Sequence, residues 1–184
     1  DLHKEYRRQR QDVYKRQYPL MGGTDSDRYT DHNYEGSYDL YGTPFLDSRN
    51  AVDFSDFFSL VFGHDMNNSA MFGSLDDFLQ ESAFADLSDG VLLLPDERYR
   101  LEVTASIAAT CPAQELIDQI MTADAAEQPQ LLEQLLEMAA VKKDDVTVSE
   151  EDHWVMLSTL DYADEKNDNG TPSMLLLKLR TSTT

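Results

Sequence analysis

Residues 97–110 alternate between apolar and polar side chains, and this alternation constrains the fold more than any other feature of the sequence. The apolar residues that share one side are Tyr99, Leu101, Val103, Ala105 and Ile107. Such alternation is typical of a half-buried β-strand, because successive side chains point to opposite faces of a sheet. Three further segments have strand composition: "FFSLVFGH" (57–64), "DDVTVSEEDHWVMLST" (144–159) and "SMLLLKLR" (173–180). The sequence therefore predicts several short strands.

Three helices are predicted between these strands. The segment "GSLDDFLQES" (73–82) has Ser74 as its N-cap and Asp77 three residues later, the spacing of a capped helix start. Pro112 begins the second helix, because proline is favoured at the first helical position. A third helix is predicted over the Leu-rich residues 129–143. Strands with inserted helices indicate a mostly β mixed fold, and a closed barrel is a natural form of it.

The charge of the chain is large and unevenly distributed. The 184 residues carry a formal charge of −20, which argues against nucleic acids and anionic membranes as partners. Residues 1–17 hold six Lys or Arg and three Asp or Glu. We therefore expect a separate basic head over 1–17, a non-native segment or a linker, followed by one domain over 18–184.

The single cysteine, Cys111, excludes an intrachain disulfide framework and a cysteine-based zinc site. No run approaches about 18 consecutive apolar residues. The sequence thus predicts neither a transmembrane span nor a signal peptide, and any attachment to a membrane would come from a segment upstream. No cofactor and no metal are expected.

The segment "FFSLVFGHDMNNSAMFGSL" (57–75) carries the most specific pattern. It consists of an apolar strand, a Gly-His step, a short polar turn, Met-Phe and the start of a helix. This pattern resembles the class B sortases. Residues 18–50 are similar to the region that precedes it in that family, with a Tyr-Pro-apolar strand, a His-Asn-aromatic-x-Gly turn and a Gly-x-x-Phe-apolar-Asp strand. The resemblance covers about residues 18–180.

The resemblance implies a closed eight-stranded sortase β-barrel with helical additions. The basic head occupies the place of the family's first strand, so either the barrel lacks that edge strand or the head is foreign to it. The implied activity is cysteine transpeptidation at the extracellular face of the membrane or in the cell wall of Gram-positive-type bacteria. The implied partners are a sorting-signal peptide or surface protein and an amine of peptidoglycan.

Two of the three residues that the family's mechanism requires are absent here. The histidine at the end of a strand matches His64, but Leu160 occupies the position of the nucleophilic cysteine after Leu-Ser-Thr. No Lys or Arg lies in 167–174, where the family has an arginine, and the alignment places Pro172 or Ser173 there. Leucine cannot form a thioester intermediate. The resemblance therefore implies an impaired or inactive enzyme, a pseudoenzyme.

What such a domain would retain is a peptide groove beside His64, formed by Ser158, Thr159 and Met66. An alternative is an active transpeptidase that uses Cys111, because a helix N-terminus lowers the pKa of a thiol. By resemblance, however, Cys111 lies away from the Leu-Ser-Thr strand end. A further alternative is an acidic structural or interaction domain without a groove. The acidic loop 161–170 loosely resembles a calcium loop, but it lacks the closing glutamate and is expected to be a solvated loop.

Overall fold

In the computed structural model, residues 17–66, 71–159 and 173–181 are described. Seven strands lie within them: β1 Phe45–Leu46, β2 Phe58–Gly63, β3 Gly90–Leu93, β4 Arg98–Ala108, β5 Ala139–Lys142, β6 His153–Thr159 and β7 Ser173–Thr181. Three α-helices lie between the strands: α1 Glu81–Ala85, α2 Cys111–Thr122 and α3 Gln128–Glu137. Two 3-10 helices cover Ser26–Thr30 and Asp76–Leu79. The mostly β fold with inserted helices is confirmed.

The strands form one sheet in the order β1-β2-β6-β7-β4-β3, with β5 also paired to β4. Strands β2 and β6 are parallel, and the other pairs are antiparallel. Among the described residues β1 and β3 do not pair with each other, so the sheet is open there. The closed eight-stranded barrel and the fate of its first strand stay predictions, as does the boundary at residue 17.

Two apolar clusters cover the two faces of the sheet. Side chains of β6 alternate between them, since Trp154 and Met156 belong to one cluster and Val155 to the other. The first cluster joins the sheet to helices α2 and α3 through Ile117, Ile120, Leu132, Leu135 and Leu136. The second includes Leu46, Phe54, Leu75 and Phe84. Both faces of the central strands are therefore buried.

Strand β4 does not keep one face throughout, contrary to the prediction from its alternation. Val103 packs in the second cluster, whereas Ala105 and Ile107 pack in the first, against the helices. The pairing of β4 with β7 shifts register between Val103 and Ala105. The extra residue, Thr104, makes a β-bulge, and the alternation changes face at such a bulge.

The predicted third helix is shorter than expected. Helix α3 ends at Glu137, and Ala139–Lys142 forms β5 along β4 instead. Strands β3 and β5 lie on the same side of β4. Strand β3 pairs with residues 98–101 of β4, and β5 supplies hydrogen-bond partners to residues 105–107. The predicted helix over 73–82 is also different: Ser74 caps nothing, and α1 begins only after Gln80.

Candidate functional site

Several strand ends meet at one edge of the sheet. Strands β2 and β6 run parallel and end in register, with Gly63 paired to Thr159. Strand β7 begins at the same edge with Ser173, because it runs antiparallel to β6. His64 directly follows β2. Three segments that are distant in sequence thus bring His64, Thr159 and Ser173 to one edge.

His64 is hydrogen-bonded to Thr30, a residue that lines a cavity beside this edge of the sheet. Its Nε2 lies 2.6 Å from the carbonyl oxygen of Thr30, at the end of the first 3-10 helix. A carbonyl oxygen only accepts hydrogen bonds, so Nε2 carries the hydrogen and the lone pair of the neutral ring is on Nδ1. The imidazole is half-buried.

Two glycines bring the loop after His64 back against β2. A Cβ on Gly63 would lie 2.7 Å from the Phe72 ring, and a Cβ on Gly73 would overlap the backbone carbonyl of Met66. The backbone N–H of Phe72 donates to the carbonyl oxygen of His64 at 3.1 Å. The Gly-His and Met-Phe-Gly steps of the sequence pattern therefore serve this close return of the chain.

A cavity of about 460 Å³ lies beside this edge of the sheet. Its apolar lining comes from the sheet and α2, through Phe45, Leu60, Phe62, Ile117 and Met174. Its polar lining comprises Asp27, Thr30, Asp47, Arg49, Gln114, Asp118, Ser158 and Thr159. We call this cavity the groove. It has an apolar floor with hydroxyl and charged groups around it, as ligand sites commonly do.

The groove contains Ser158 and Thr159, two of the residues predicted for it, and not the third. Met66 is half-buried on the loop after His64 and does not line the cavity. Thr159 Oγ1 is buried and has no hydrogen-bond partner in the described part of the chain, and the same holds for Ser173 Oγ. A buried hydroxyl without a partner is unfavourable by about 1–3 kcal/mol, and the residues that join Thr159 to Ser173 lie outside the described part of the chain.

Arg49 and Asp47 form an ion pair in the groove that sequence reasoning missed. Arg49 Nε and Nη2 donate to the two carboxylate oxygens of Asp47 at 2.9 and 2.8 Å, and the Arg49 backbone N–H donates at 2.9 Å. Burial opposes ionisation of Asp47, but the Arg49 hydrogen bonds outweigh it and lower the pKa of Asp47. The Asp-x-Arg spacing was the available signal, because aspartate readily accepts from the backbone two residues on.

Cys111 is the first residue of α2 and is exposed. The preceding strand β4 ends at this edge too, since Ala108 pairs with Ser173. Helix α2 contributes Gln114, Ile117 and Asp118 to the groove, whereas Cys111 does not line it. Strand β7 lies between β4, which leads to Cys111, and β6, which ends at Thr159. The Cys111 thiol and Thr159 are therefore on opposite sides of β7.

Some predicted positions lie outside the described residues. These are residues 1–16 of the basic head, Leu160, the acidic loop 161–170 and Pro172. Of the helices in 17–66, 71–159 and 173–181, none has the length and hydropathy needed to cross a lipid bilayer.

A second cavity, of about 510 Å³, lies among β4, β5 and β7. Two of its cations are paired with carboxylates: Lys178 Nζ lies 2.7 Å from Asp152, and Arg180 Nε lies 2.9 Å from Glu102. Among the described residues, none of the candidate site residues named from the sequence lines it. The groove is therefore the better candidate site.

The chain is similar to known proteins in part of its sequence and in its fold. No protein-family model matches the sequence. A 64-residue segment is 34% identical to sortase B of Listeria monocytogenes, and this match covers 35% of the chain and 26% of the Listeria protein. The chain thus matches about a quarter of that relative's length.

Solved structures match over most of the chain. The fold is similar to sortase B of Bacillus anthracis in complex with AAEK1, with a TM-score of 0.73 and 29% identity over 89% of this chain and 73% of that one. It is also similar to the Staphylococcus aureus sortase B–substrate complex, with a TM-score of 0.75 and 20% identity over 90% and 74% of the two chains. The chain is a class B sortase-like protein.

Proposed function

We propose that this domain binds an extended peptide in the groove, and that its transpeptidation chemistry is impaired or absent. The observation that carries the proposal is the 460 Å³ cavity at the edge where β2 and β6 end together. The Staphylococcus aureus protein of similar fold was solved with its substrate. A sorting-signal peptide is therefore the proposed ligand class.

The lining of the groove suits a peptide. Phe62 and Met174 offer apolar surface to side chains, and the rings of Phe62 and Phe45 pack with centroids 5.5 Å apart. Around this floor, the Arg49 guanidinium, 45% exposed, can donate hydrogen bonds to polar groups of a peptide. An apolar floor with a few placed polar groups gives both affinity and register.

The residues that would perform the chemistry are incomplete. By resemblance His64 stands at the position of the family's histidine, and its hydrogen bond through Nε2 leaves Nδ1 as the ring nitrogen that can accept a proton. Leu160 has only a saturated side chain, so no acyl intermediate can form on it. Ser173 would present a neutral hydroxyl in place of the arginine charge, which cannot stabilise an oxyanion equally well.

The partners and location follow from the same reading. A sorting-signal peptide or a surface protein would occupy the groove at the extracellular face of a Gram-positive-type cell. A peptidoglycan amine would serve as acceptor only if activity remained. No nucleic acid is proposed as a partner, because the chain carries −20.

One observation favours a second candidate, a transpeptidase that uses Cys111. The thiol is exposed at the start of the 12-residue helix α2, on the same edge of the sheet as His64. If this second candidate is correct, a peptide electrophile will label Cys111 of the unmodified protein, and the labelling will depend on His64.

Peptide binding is tested on an array of capped hexapeptides of varied sequence probed with the fluorescently labelled protein. We expect a subset of related peptides to bind and soluble copies to compete. The variant Thr30→Trp fills the groove from its rim and should abolish binding, whereas Thr24→Trp, exposed and outside the lining, should not. If no peptide binds, or if both variants bind peptides equally well, the groove does not hold a peptide. Such a result would favour the alternative that the protein is an acidic interaction domain without a peptide groove.

A further inference from the structure

Arg49 is a cation with unused hydrogen-bond donors inside the groove. It is the one Lys or Arg among the lining residues in the described part of the chain. The other charged lining residues are Asp27, Asp47 and Asp118. Its side chain is 45% exposed, so a ligand in the groove can reach it.

The orientation of the guanidinium is fixed before any ligand arrives. Asp47 holds it through two side-chain hydrogen bonds, and the Asp47 side chain is only 11% exposed. Asp47 is itself placed by its backbone N–H, which donates to the carbonyl oxygen of Leu60 in β2 at 2.8 Å. Arg49 is thus attached to the sheet through a planar, two-point contact, which is the geometry that arginine favours.

Three of the five N–H groups of this guanidinium have no acceptor within hydrogen-bonding distance among the described residues. Asp47 takes one N–H of Nε and one of Nη2. Nη1 lies 3.6 Å from Asp118, which is too long for a hydrogen bond and leaves only charge attraction. Both N–H groups of Nη1 and one of Nη2 are therefore available to a ligand.

The surrounding charge decides which acceptor these donors suit. Three aspartates line the same groove as Arg49, and the chain as a whole carries −20. A carboxylate ligand would be repelled by them, whereas a neutral carbonyl oxygen would not.

We propose that Arg49 is a positioning residue that sets the register of the bound peptide by donating hydrogen bonds to one of its carbonyl oxygens. This inference rests on the proposed function, because it requires a peptide in the groove. In this proposal Arg49 does not contact any bond that reacts. Its consequence is that affinity depends on one particular carbonyl of the peptide, and only while Arg49 is present.

The test uses the best-binding hexapeptide from the array and measures its affinity by fluorescence anisotropy. The proteins are the unmodified chain, Arg49→Met, Arg49→Lys and the control Arg28→Met. Arg28 is an exposed arginine outside the groove, beside Asp25 and Tyr29. We expect Arg49→Met to weaken binding at least about tenfold, the size of a lost hydrogen bond to a charged donor. Arg49→Lys should weaken it less, and Arg28→Met should change it less than twofold.

A series of peptides with single amide-to-ester replacements separates positioning from folding. An ester carbonyl is a weaker acceptor, so replacement at the contacted position should weaken binding to the unmodified chain about fivefold or more, and leave Arg49→Met unaffected. If Arg49→Met instead loses its structure, its affinity for every ester peptide should fall by the same factor. In that case Arg49→Lys, which keeps a positive charge beside Asp47, is the variant in which the dependence on ester position is measured.

The outcomes distinguish the inference from the function beneath it. A position-dependent coupling to residue 49 supports the inference. Binding that Arg49→Met leaves unchanged, or a loss without any dependence on ester position in both Arg49 variants, overturns the role of Arg49 and leaves the peptide groove standing. If no array peptide binds the unmodified chain, the proposed function fails and this inference fails with it.

Discussion

Nε2 of His64 lies 2.6 Å from the carbonyl oxygen of Thr30, which lines the groove. This contact joins the histidine that follows β2 to the wall of the proposed peptide site. It also fixes the ring, because the carbonyl oxygen can only accept. The histidine is thus held by the groove, whether or not the reaction survives.

The first prediction concerns the tautomer of this ring. When the His64 imidazole is neutral, long-range ¹⁵N–¹H spectra should show its proton on Nε2 and Nδ1 unprotonated. A groove-binding peptide should shift these signals, because it contacts the wall of the groove at Thr30. His153 serves as the internal control, since its Nδ1 lies 2.8 Å from the carbonyl oxygen of Asp56 and should show the opposite tautomer. An Nδ1–H tautomer at His64 would contradict the described contact.

The second prediction concerns peptide charge. Asp27 and Asp118 lie on the lining with exposed carboxylates, so a glutamate in the bound peptide should weaken binding several-fold relative to glutamine, and a lysine should strengthen it. The effect should shrink as salt rises, because exposed charges are screened. Asp118→Asn should reduce the discrimination, whereas Asp96→Asn, exposed and outside the groove, should leave it unchanged. Equal affinity for the charged peptides at low salt would count against an acidic rim.

The third prediction concerns acid stability. The hydrogen bonds from Arg49 lower the pKa of Asp47 despite its burial. A carboxyl whose folded pKa is depressed stabilises the fold above its unfolded pKa of about 3.9, and this contribution is lost as the pH falls through the folded value. Asp47→Asn should therefore reduce the free energy of unfolding in urea by about 1 kcal/mol at pH 7.

The deficit should shrink when the pH falls below about 4, where the unmodified protein also loses the charge. Glu115→Gln, exposed on α2, should show no such change. A deficit that is the same at pH 7 and pH 3 would mean that the charge of Asp47 contributes nothing and that only its shape matters.

The fourth prediction concerns the return of the loop against β2. A Cβ on Gly73 would overlap the backbone carbonyl of Met66, and backbone cannot move away cheaply. Gly73→Ala should lower the free energy of unfolding by about 2–3 kcal/mol. In Gly90→Ala the nearest atom to the new Cβ is the Leu101 Cβ at 3.4 Å, and the change should stay within about 0.5 kcal/mol. Equal thermal stability of the two variants would refute the tight contact at Gly73.

The central strands could be predicted from sequence because each is marked by its own residues. The apolar runs of β2, β6 and β7 and the Pro112 start of α2 all appear close to their expected places. The bulge at Thr104 could not be predicted, since the side chains around it are compatible with unbroken alternation. Strand β5 was missed because Leu-rich α3 continues into Ala139–Lys142 without a breaker, and only the edge of β4 makes those residues a strand.

The candidate site was predictable only in part. The Gly-His step placed His64 after β2, and Leu-Ser-Thr placed Thr159 at the end of β6, because both patterns are local. Arg49 and Asp118 come together from a loop and a helix that are far apart in sequence. No local pattern indicates that contact, since it depends on how α2 packs on the sheet.

The central claim is that the domain keeps a peptide groove and lacks its nucleophile. The most direct measurement is intact-mass analysis with peptide mapping after incubation with a groove-binding peptide that ends in a chloromethyl ketone. We predict no His64-dependent adduct on the unmodified protein. We predict a rapid adduct on residue 160 of the Leu160→Cys variant made in a Cys111→Ser background, weakened by His64→Ala. An adduct on Cys111 of the unmodified chain that disappears in His64→Ala, or a Leu160→Cys variant that binds the peptide without ever reacting, would contradict the account.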